Sequence, residues 1–281
     1  MKNKSIWMYW HQGFENAPFV VTRCVEQWRL LHPDWQINLL DKNNIATYVD
    51  PLPIVKTTLD KMSLPHQSDL IRTQLLIKYG GVWADPTCFP LQKLDFWLLE
   101  KMSAGVFFYF KPGRDRIMSN WFIASEPDNK LLVTLFQEMI KYWNATTFKN
   151  LGSQDSIFIK NLKRVINRNL WLPLLWCSPL FNKLLRTNTY FIYHYMVFKL
   201  VTFNKICREI FKQMPKIEPS EEHKMIEMGL LAALNDNIKK IIDNKSVPLF
   251  KLNWKIKNEN IPSDSNLYYL FNNSRNHDNT K

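Results

Sequence analysis

Three charged residues with a spacing suited to ligand binding lie in the segment 66–90. Asp69 and Arg72 are three residues apart, so in a helix their side chains share one face. Asp85 follows a short apolar run, and Pro86 cannot donate to a sheet ladder, so the run is predicted to be a strand that ends near Asp85. Open α/β sheets bind ligands at the carboxyl ends of their strands, and Asp85 is therefore expected in a binding site.

A helix and a glycine turn are predicted to position this group. Ser68 is an N-cap residue type, and Asp69 would lie in the first turn, where a negative charge suits the helix dipole. Gly80 and Gly81 are of the type that ends a helix in a left-handed conformation. The apolar residues in between recur at helical spacing and predict one buried face: Ile71, Leu75 and Tyr79.

The predicted site has the chemistry for a phosphorylated ligand that is rich in hydroxyl groups. A carboxylate at a strand end can hold a divalent cation through oxygen, and the Thr87 hydroxyl lies beside Asp85. The Arg72 guanidinium can donate two parallel hydrogen bonds to a phosphate or to sugar hydroxyls. The alternative is a common helix ion pair of Asp69 and Arg72 followed by an ordinary Asp-Pro turn, and the spacing alone does not decide between them.

The segment 68–87 resembles the core of a known family. It reads Ser-Asp-Leu-x-Arg-x-x-x-Leu-x-x-x-Gly-Gly-Val-Trp-x-Asp-x-Thr, a pattern similar to that of the capsular polysaccharide synthesis glycosyltransferases. These are bacterial relatives of the DXD sugar-binding transferases, which include yeast mannosyltransferases and the large clostridial glucosylating toxins. Three more segments are similar to parts of that family: 6–13 to its first strand, 120–125 to its acceptor-side strand and 248–255 to its C-terminal motif.

The resemblance implies a fold and a reaction. The fold would be of the GT-A type, with a Rossmann-like, mostly parallel sheet flanked by helices. The reaction would move a sugar from a nucleotide diphosphate sugar, with UDP-hexose as the expected donor, to a lipid-linked saccharide in capsular or surface polysaccharide synthesis. The family retains the anomeric configuration, and no residue stands out as a covalent nucleophile, so front-face attack assisted by the leaving group is expected.

The resemblance also implies roles for individual residues. The implied catalytic residues are Asp85, Asp69 and Arg72. Donor binding is implied for Tyr9, Trp10, Gln12, Asp69, Arg72, Asp85, Lys251, Asn253 and Trp254, and acceptor binding for Asn120. Asp85 and Thr87 would hold Mn²⁺ or Mg²⁺, although a threonine stands where many relatives carry a second aspartate.

These roles have alternatives. The rings of Tyr9 and Trp10 could stack on the nucleotide base or pack inward at a strand edge, and Gln12 could belong to a solvated loop. The segment 251–254 could close over the diphosphate or form a basic surface strand. Because the neutral Thr87 hydroxyl binds a cation more weakly than a carboxylate does, a catalytically silent partner in polysaccharide assembly stays an alternative to the enzyme.

The pattern of elements predicts an α/β fold with a helical C-terminal half. Strand and helix patterns alternate in the first half of the chain, which favours a mostly parallel sheet. Four regions are predicted: a nucleotide-sugar-binding core over 1–145, a mainly helical, basic region over 146–245, a segment over 246–270 that returns to the active site, and a tail over 271–281. There is no G-x-G-x-x-G or Walker pattern, which argues against dinucleotide and kinase chemistry.

Positive charge is concentrated in the helical region. The chain has a formal net charge of +12, and twelve Lys or Arg against two acids give 149–216 a net charge of +10. The same segment contains the apolar clusters 171–175 and 190–203. Such a segment indicates an anionic membrane surface or nucleic acid as partner. No nucleic-acid-binding module is recognisable, so nucleic acid is not expected. Hydrophobic residues in helices usually belong to the core, so a purely buried helical insert stays an alternative, but the excess of positive charge favours the membrane.

The chain is expected in the cytoplasm, bound peripherally to the inner face of the plasma membrane. Its four cysteines are scattered without a C-x-x-C pair, which favours reduced thiols. Its first residues lack the uninterrupted apolar run of a signal peptide. The most hydrophobic run, 190–201, is too short for a membrane span, which needs about 20 residues.

Overall fold

The computed structural model describes residues 3–145, 156–185 and 187–274. The strands are β1 (Ser5–Tyr9), β2 (Gln36–Leu40), β3 (Gly81–Ala84), β4 (Cys88–Pro90), β5 (Val106–Gly113), β6 (Arg116–Ser125) and β7 (Leu249–Lys251). The helices are α1 (Phe19–Leu31), α2 (Lys56–Leu59), α3 (Leu64–Tyr79), α4 (Lys130–Ala145), α5 (Ile157–Ile166), α6 (Pro179–Leu185), α7 (Ile192–Phe203), α8 (Lys205–Gln213), α9 (Ser220–Glu227), α10 (Asp236–Asp243) and α11 (Asn266–Asn273).

The described residues form a central sheet with the strand order β2-β1-β3-β6-β5. β1 is parallel to β2 and to β3, whereas β6 is antiparallel to both β3 and β5. β5 therefore runs in the same direction as β1, and β6 is the reversed strand of this sheet. The predicted α/β fold with a mostly parallel sheet flanked by helices is confirmed.

The central helix begins earlier than predicted. Ser63, rather than Ser68, is the N-cap residue of α3, and Pro65 lies in the first turn. Proline is tolerated there because the first N–H groups of a helix have no partner within it. Asp69 lies in the second turn, so the prediction that it lies in the first turn, at the positive end of the helix dipole, is wrong.

The turn from α3 into β3 depends on glycine, as predicted. Gly80 and Gly81 have φ angles of +66° and +90°. A Cβ atom on Gly81 would lie only 2.5 Å from the Ser5 carbonyl oxygen in β1. Because glycine permits this close approach, β3 pairs beside β1 and places Asp85 at the carboxyl end of the sheet.

A small second sheet brings the C-terminal part of the chain beside Asp85. β4 pairs antiparallel with β7, and Cys88 lies opposite Lys251 in the register. The indole N–H of Trp28, in α1, donates to the Cys88 carbonyl oxygen at 2.8 Å. Since Trp28 is fully buried, α1 fixes the position of β4 and, through it, of β7.

The C-terminal half is mainly helical, as predicted, but its most hydrophobic helix belongs to the core. α7 packs against β6 and α4, and most of its side chains are buried, including Tyr193 and Met196. The apolar cluster 190–203 is therefore mostly interior, because its hydrophobic residues face other elements. Within the described ranges, no helix has the length and apolar content needed to cross a bilayer.

Candidate functional site

Asp85 is the centre of a charged group at the end of β3. Its Oδ1 accepts a hydrogen bond from the Trp83 indole at 3.0 Å and lies 3.7 Å from Nη2 of Arg72. Its Oδ2 lies 3.2 Å from Nζ of Lys251. Burial alone would raise the pKa of Asp85, but Lys251 and Arg72 outweigh burial and lower this pKa below its ordinary value. The carboxylate is therefore ionised at neutral pH.

Arg72 is fixed by contacts on every side of its guanidinium. It donates through Nε and Nη2 to the carbonyl and hydroxyl oxygens of Ser68, at 3.3 and 3.2 Å, one helical turn earlier in α3. Nη1 donates to the Asn120 carbonyl oxygen. The guanidinium carbon lies 4.7 Å from the centre of the Trp83 ring, within cation–π range. These contacts preorganise the positive charge of Arg72 beside Asp85.

Asp69 lies behind Arg72. It is 3 % exposed, and its Oδ1 accepts a hydrogen bond from the Asn120 side chain at 2.8 Å and lies 3.6 Å from Nη2 of Arg72. Burial raises the pKa of Asp69 to about 6, although Arg72 and Asn120 oppose the rise. Asp69 and Asn120 therefore help to fix the position of Arg72, and neither residue lines the cleft over Asp85.

An open cleft of about 520 Å³ lies over Asp85. The residues that line it are Tyr9, Trp10, His11, Gln12, Leu64, Pro65, Ser68, Arg72, Trp83, Asp85, Pro86, Thr87, Tyr190, Lys251 and Trp254. Most of the residues predicted to bind a donor are thus brought together, from both ends of the chain. Asn253 is exposed outside this lining, where its side chain accepts a hydrogen bond from the Lys255 backbone.

Aromatic rings form one wall of the cleft. Trp10 and Trp254 make an edge contact, with ring centres 5.7 Å apart, and Trp254 remains 44 % exposed. The Tyr9 hydroxyl is hydrogen-bonded to Nδ1 of His11 at 2.8 Å. Partly exposed rings of this kind offer faces for a base or a sugar.

Sequence reasoning missed Tyr190, which lines the cleft just before α7 and is 60 % exposed. Its only local signal was a place at the start of a hydrophobic run. The hydrophobicity of that run does not indicate which of its residues reaches the cleft.

Lys251 occupies the oxygen pair that was predicted to bind a metal. Its ammonium contacts Oδ2 of Asp85 and donates to the Thr87 hydroxyl. Burial alone would lower the pKa of Lys251, but Asp85 outweighs it and raises this pKa, so the side chain is charged. In the part of the chain that the structure describes, no group of three or more His, Cys, Asp or Glu side chains could hold a metal ion. With the ammonium in this position, Asp85 and Thr87 do not fit a divalent ion.

Comparison with known proteins places the chain in a family. Residues 1–150, more than half of the chain, match the family described as "Capsular polysaccharide synthesis protein". The chain belongs to this family, which confirms the resemblance seen in the sequence.

Curated relatives carry glycosyltransferase names. The chain is 31 % identical to O-glycosyltransferase braB of Annulohypoxylon truncatum over 164 residues, 52 % of this chain and 39 % of that protein. It is 28 % identical to O-glycosyltransferase PaGT of Phomopsis amygdali over 171 residues, 54 % of this chain and 40 % of that protein. The chain thus spans about two fifths of the length of these relatives. The solved structure of PaToxG glycosyltransferase aligns over 75 % of each chain at 11 % identity and a TM-score of 0.38, which is too distant to carry an argument.

Proposed function

We propose that the protein is a glycosyltransferase that uses a nucleotide diphosphate sugar as donor, with UDP-hexose as the first candidate. One observation carries the proposal: a cleft at the carboxyl end of β3 combines an ionised carboxylate, two fixed cations and an aromatic wall. The family and the glycosyltransferase names of the relatives support sugar transfer.

The two cations would neutralise the leaving diphosphate. Arg72 and Lys251 both line the cleft and lie against different oxygens of Asp85. Positive charge that is fixed before the reaction stabilises the negative charge that develops as the bond from the sugar C1 to the diphosphate breaks. The Asp85 carboxylate only accepts hydrogen bonds, which suits contacts with hydroxyls of the donor ribose or sugar.

We expect the transfer to retain the anomeric configuration, as the resemblance to retaining transferases implies, and to proceed by front-face attack instead of double displacement. Among the described residues that line the cleft, Asp85 carries the only carboxylate, whereas a double displacement uses two carboxyl groups about 5 Å apart. In front-face attack, an acceptor hydroxyl oxygen bonds to C1 while the bond from C1 to the diphosphate breaks. The hydroxyl proton moves to the departing phosphate oxygen. The anomeric proton coupling of the product distinguishes retention from inversion.

Release of the nucleoside diphosphate tests the proposed donor. The protein would be incubated with UDP-glucose, UDP-galactose, UDP-N-acetylglucosamine and GDP-mannose, and diphosphate release measured for wild type and Asp85→Asn. We expect the variant to lose about 100-fold or more in rate, because the carboxylate holds both cations in place. Asp50→Asn, at a side chain that is 73 % exposed, is the control. If wild type consumes no donor, the silent assembly partner becomes the better account.

We further propose a lipid-linked saccharide as acceptor, reached from an anionic membrane surface. Residues 156–185 contain five Lys or Arg and no Asp or Glu. The segment also exposes large apolar side chains, at 40–80 % of their surface: Ile157, Phe158, Val165, Trp171, Leu172, Leu175, Leu180 and Leu184. Exposed apolar groups beside positive charge suit the boundary between anionic headgroups and acyl chains.

Vesicle sedimentation tests this surface. We expect wild type to sediment with phosphatidylglycerol vesicles and to be released by high salt. The double variant Leu180→Ser/Leu184→Ser should lose binding without losing stability, because these side chains are 79 % and 80 % exposed. Leu99→Ser, 65 % exposed in another region, is the control. Equal binding to phosphatidylcholine, or retention of RNA on a filter in place of vesicle binding, would contradict the proposal.

A further inference from the structure

We propose that the Lys251 ammonium performs the task of a divalent cation, so that the cleft binds the diphosphate of its donor without a metal ion. The inference rests on the proposed donor class, and it changes the expected cofactor of that same site. The inference starts from the contacts of the Lys251 ammonium with Oδ2 of Asp85 and with the Thr87 hydroxyl, the two side chains that were predicted to bind a metal.

The backbone delivers Lys251 to this position. Lys251 lies opposite Cys88 in the β4–β7 pair. The Leu252 N–H donates to the Thr87 carbonyl oxygen at 2.8 Å, which extends the pairing by one residue towards Asp85. The strand before Lys251 is anchored by Leu249 and Phe250, which are fully buried. The ammonium is therefore placed by a paired strand, and its position does not depend on a flexible loop.

The oxygen atoms of Asp85 are already used. Oδ2 faces Lys251 at 3.2 Å, while Oδ1 accepts from Trp83 and faces Arg72. Mg²⁺ and Mn²⁺ are held mainly by oxygen ligands, about six of them for Mg²⁺. The predicted ligand pair, Asp85 and Thr87, supplies one carboxylate and one hydroxyl. A divalent ion at these oxygens would also stand next to two positive side chains, which repel it.

The charge that remains suits a diphosphate. Among the lysines, arginines and carboxylates that line the cleft, Arg72 and Lys251 carry two positive charges and Asp85 one negative charge. An ammonium that bridges Asp85 and Thr87 keeps donor capacity for an incoming phosphate oxygen, because it has three N–H groups. A diphosphate would thus meet a net positive site that is complete without an added ion.

The binding of UDP, GDP and CDP tests the inference. It can be measured by tryptophan fluorescence, because Trp10, Trp83 and Trp254 line the cleft. For the nucleotide that binds best, we expect the wild-type Kd in excess EDTA to lie within about twofold of its Kd in millimolar MnCl₂. Lys251→Met should weaken binding about tenfold or more in EDTA. Part of that loss should be recovered with MnCl₂, because Asp85 and Thr87 are then free to hold the ion. Lys251→Arg should keep binding in EDTA better than Lys251→Met does.

Lys257→Met is the matched control, because this lysine belongs to the same C-terminal segment and its side chain is 75 % exposed; its binding should equal that of wild type. Wild-type binding that is about tenfold weaker in EDTA than in MnCl₂ would overturn the inference and leave the donor proposal intact. If Lys251→Met binds the nucleotide in EDTA as tightly as wild type does, the inference is likewise overturned and the donor proposal stays intact. If no nucleoside diphosphate binds under either condition, the donor proposal itself fails. The wild-type Kd values in EDTA and in MnCl₂ show whether binding needs a metal ion, even if a Lys251 variant does not fold.

Discussion

Asp69→Asn should change how the stability of the protein depends on pH. Asp69 is buried beneath Arg72, and burial raises its pKa to about 6, compared with about 3.9 in an unfolded chain. Because the folded state binds this proton more tightly than the unfolded state does, Asp69 contributes stability as the pH falls from 7 through 6 towards 4. Asparagine has the same shape and does not titrate, so this contribution is absent in the variant.

The magnitude follows from the two pKa values. For a group with a pKa of about 6 in the folded state and about 3.9 in the unfolded state, the free energy of unfolding rises by about 1.3 kcal/mol between pH 7 and pH 5. Other groups also titrate in this range, but they are common to both proteins. Their effects therefore cancel when the free energy of unfolding of the variant is subtracted from that of wild type.

Urea unfolding at pH 5, 6 and 7 measures this difference, with Asp50→Asn as a control for loss of an exposed carboxylate. We expect the difference between wild type and Asp69→Asn to shift in favour of wild type by about 1.3 kcal/mol as the pH is lowered from 7 to 5. Parallel stability curves for the two proteins would refute the reasoning, because they would show that Asp69 has the same pKa in both states.

Three other substitutions test the elements that position the site. Gly81→Ala should destabilise the protein by about 2 kcal/mol or more in urea unfolding, because the added Cβ would meet the Ser5 carbonyl oxygen at 2.5 Å and the residue has φ of +90°; unchanged stability would contradict this close approach. Arg72→Lys should weaken UDP binding about tenfold, since lysine lacks the planar fork and the contact with Trp83; an unchanged Kd would show that the fork is not needed. Trp28→Phe should cost about 1–3 kcal/mol, because the buried carbonyl at the start of β4 loses its donor; a smaller cost would mean that α1 does not hold β4.

Local patterns predicted the first half of the fold well. The sequence predicts strands over 6–9, 36–40 and 82–84. β2 has the predicted bounds, and β1 and β3 each begin one residue earlier, because short apolar runs with turn residues on both sides specify strands. The start of α3 was missed, because Ser63 and Ser68 are both N-cap types and propensity alone does not choose between them. The apolar spacing predicts one buried face for α3, whereas the structure also buries polar residues of this helix, including Asp69 and Arg72, which apolar spacing does not indicate.

The site was predictable where one segment contains its parts, and less so where distant segments meet. The pairing of Arg72 with Asp69 and Asp85 follows from helix spacing and a strand end within 17 residues. The contact of Lys251 with Asp85 joins positions 166 residues apart, and no local pattern encodes it; family resemblance alone pointed to that segment. The sequence did not decide whether the cluster 190–203 faces a membrane or the core, because hydrophobicity does not distinguish a membrane-facing helix from a core helix such as α7.

A crystal structure of the protein soaked with UDP tests the central claim most directly. We expect the diphosphate oxygens within hydrogen-bonding distance of the Lys251 ammonium and the Arg72 guanidinium, with the base against Trp10 and Trp254 at the aromatic wall. UDP bound at another place on the surface, or a cleft over Asp85 that stays empty at a saturating concentration, would contradict the account.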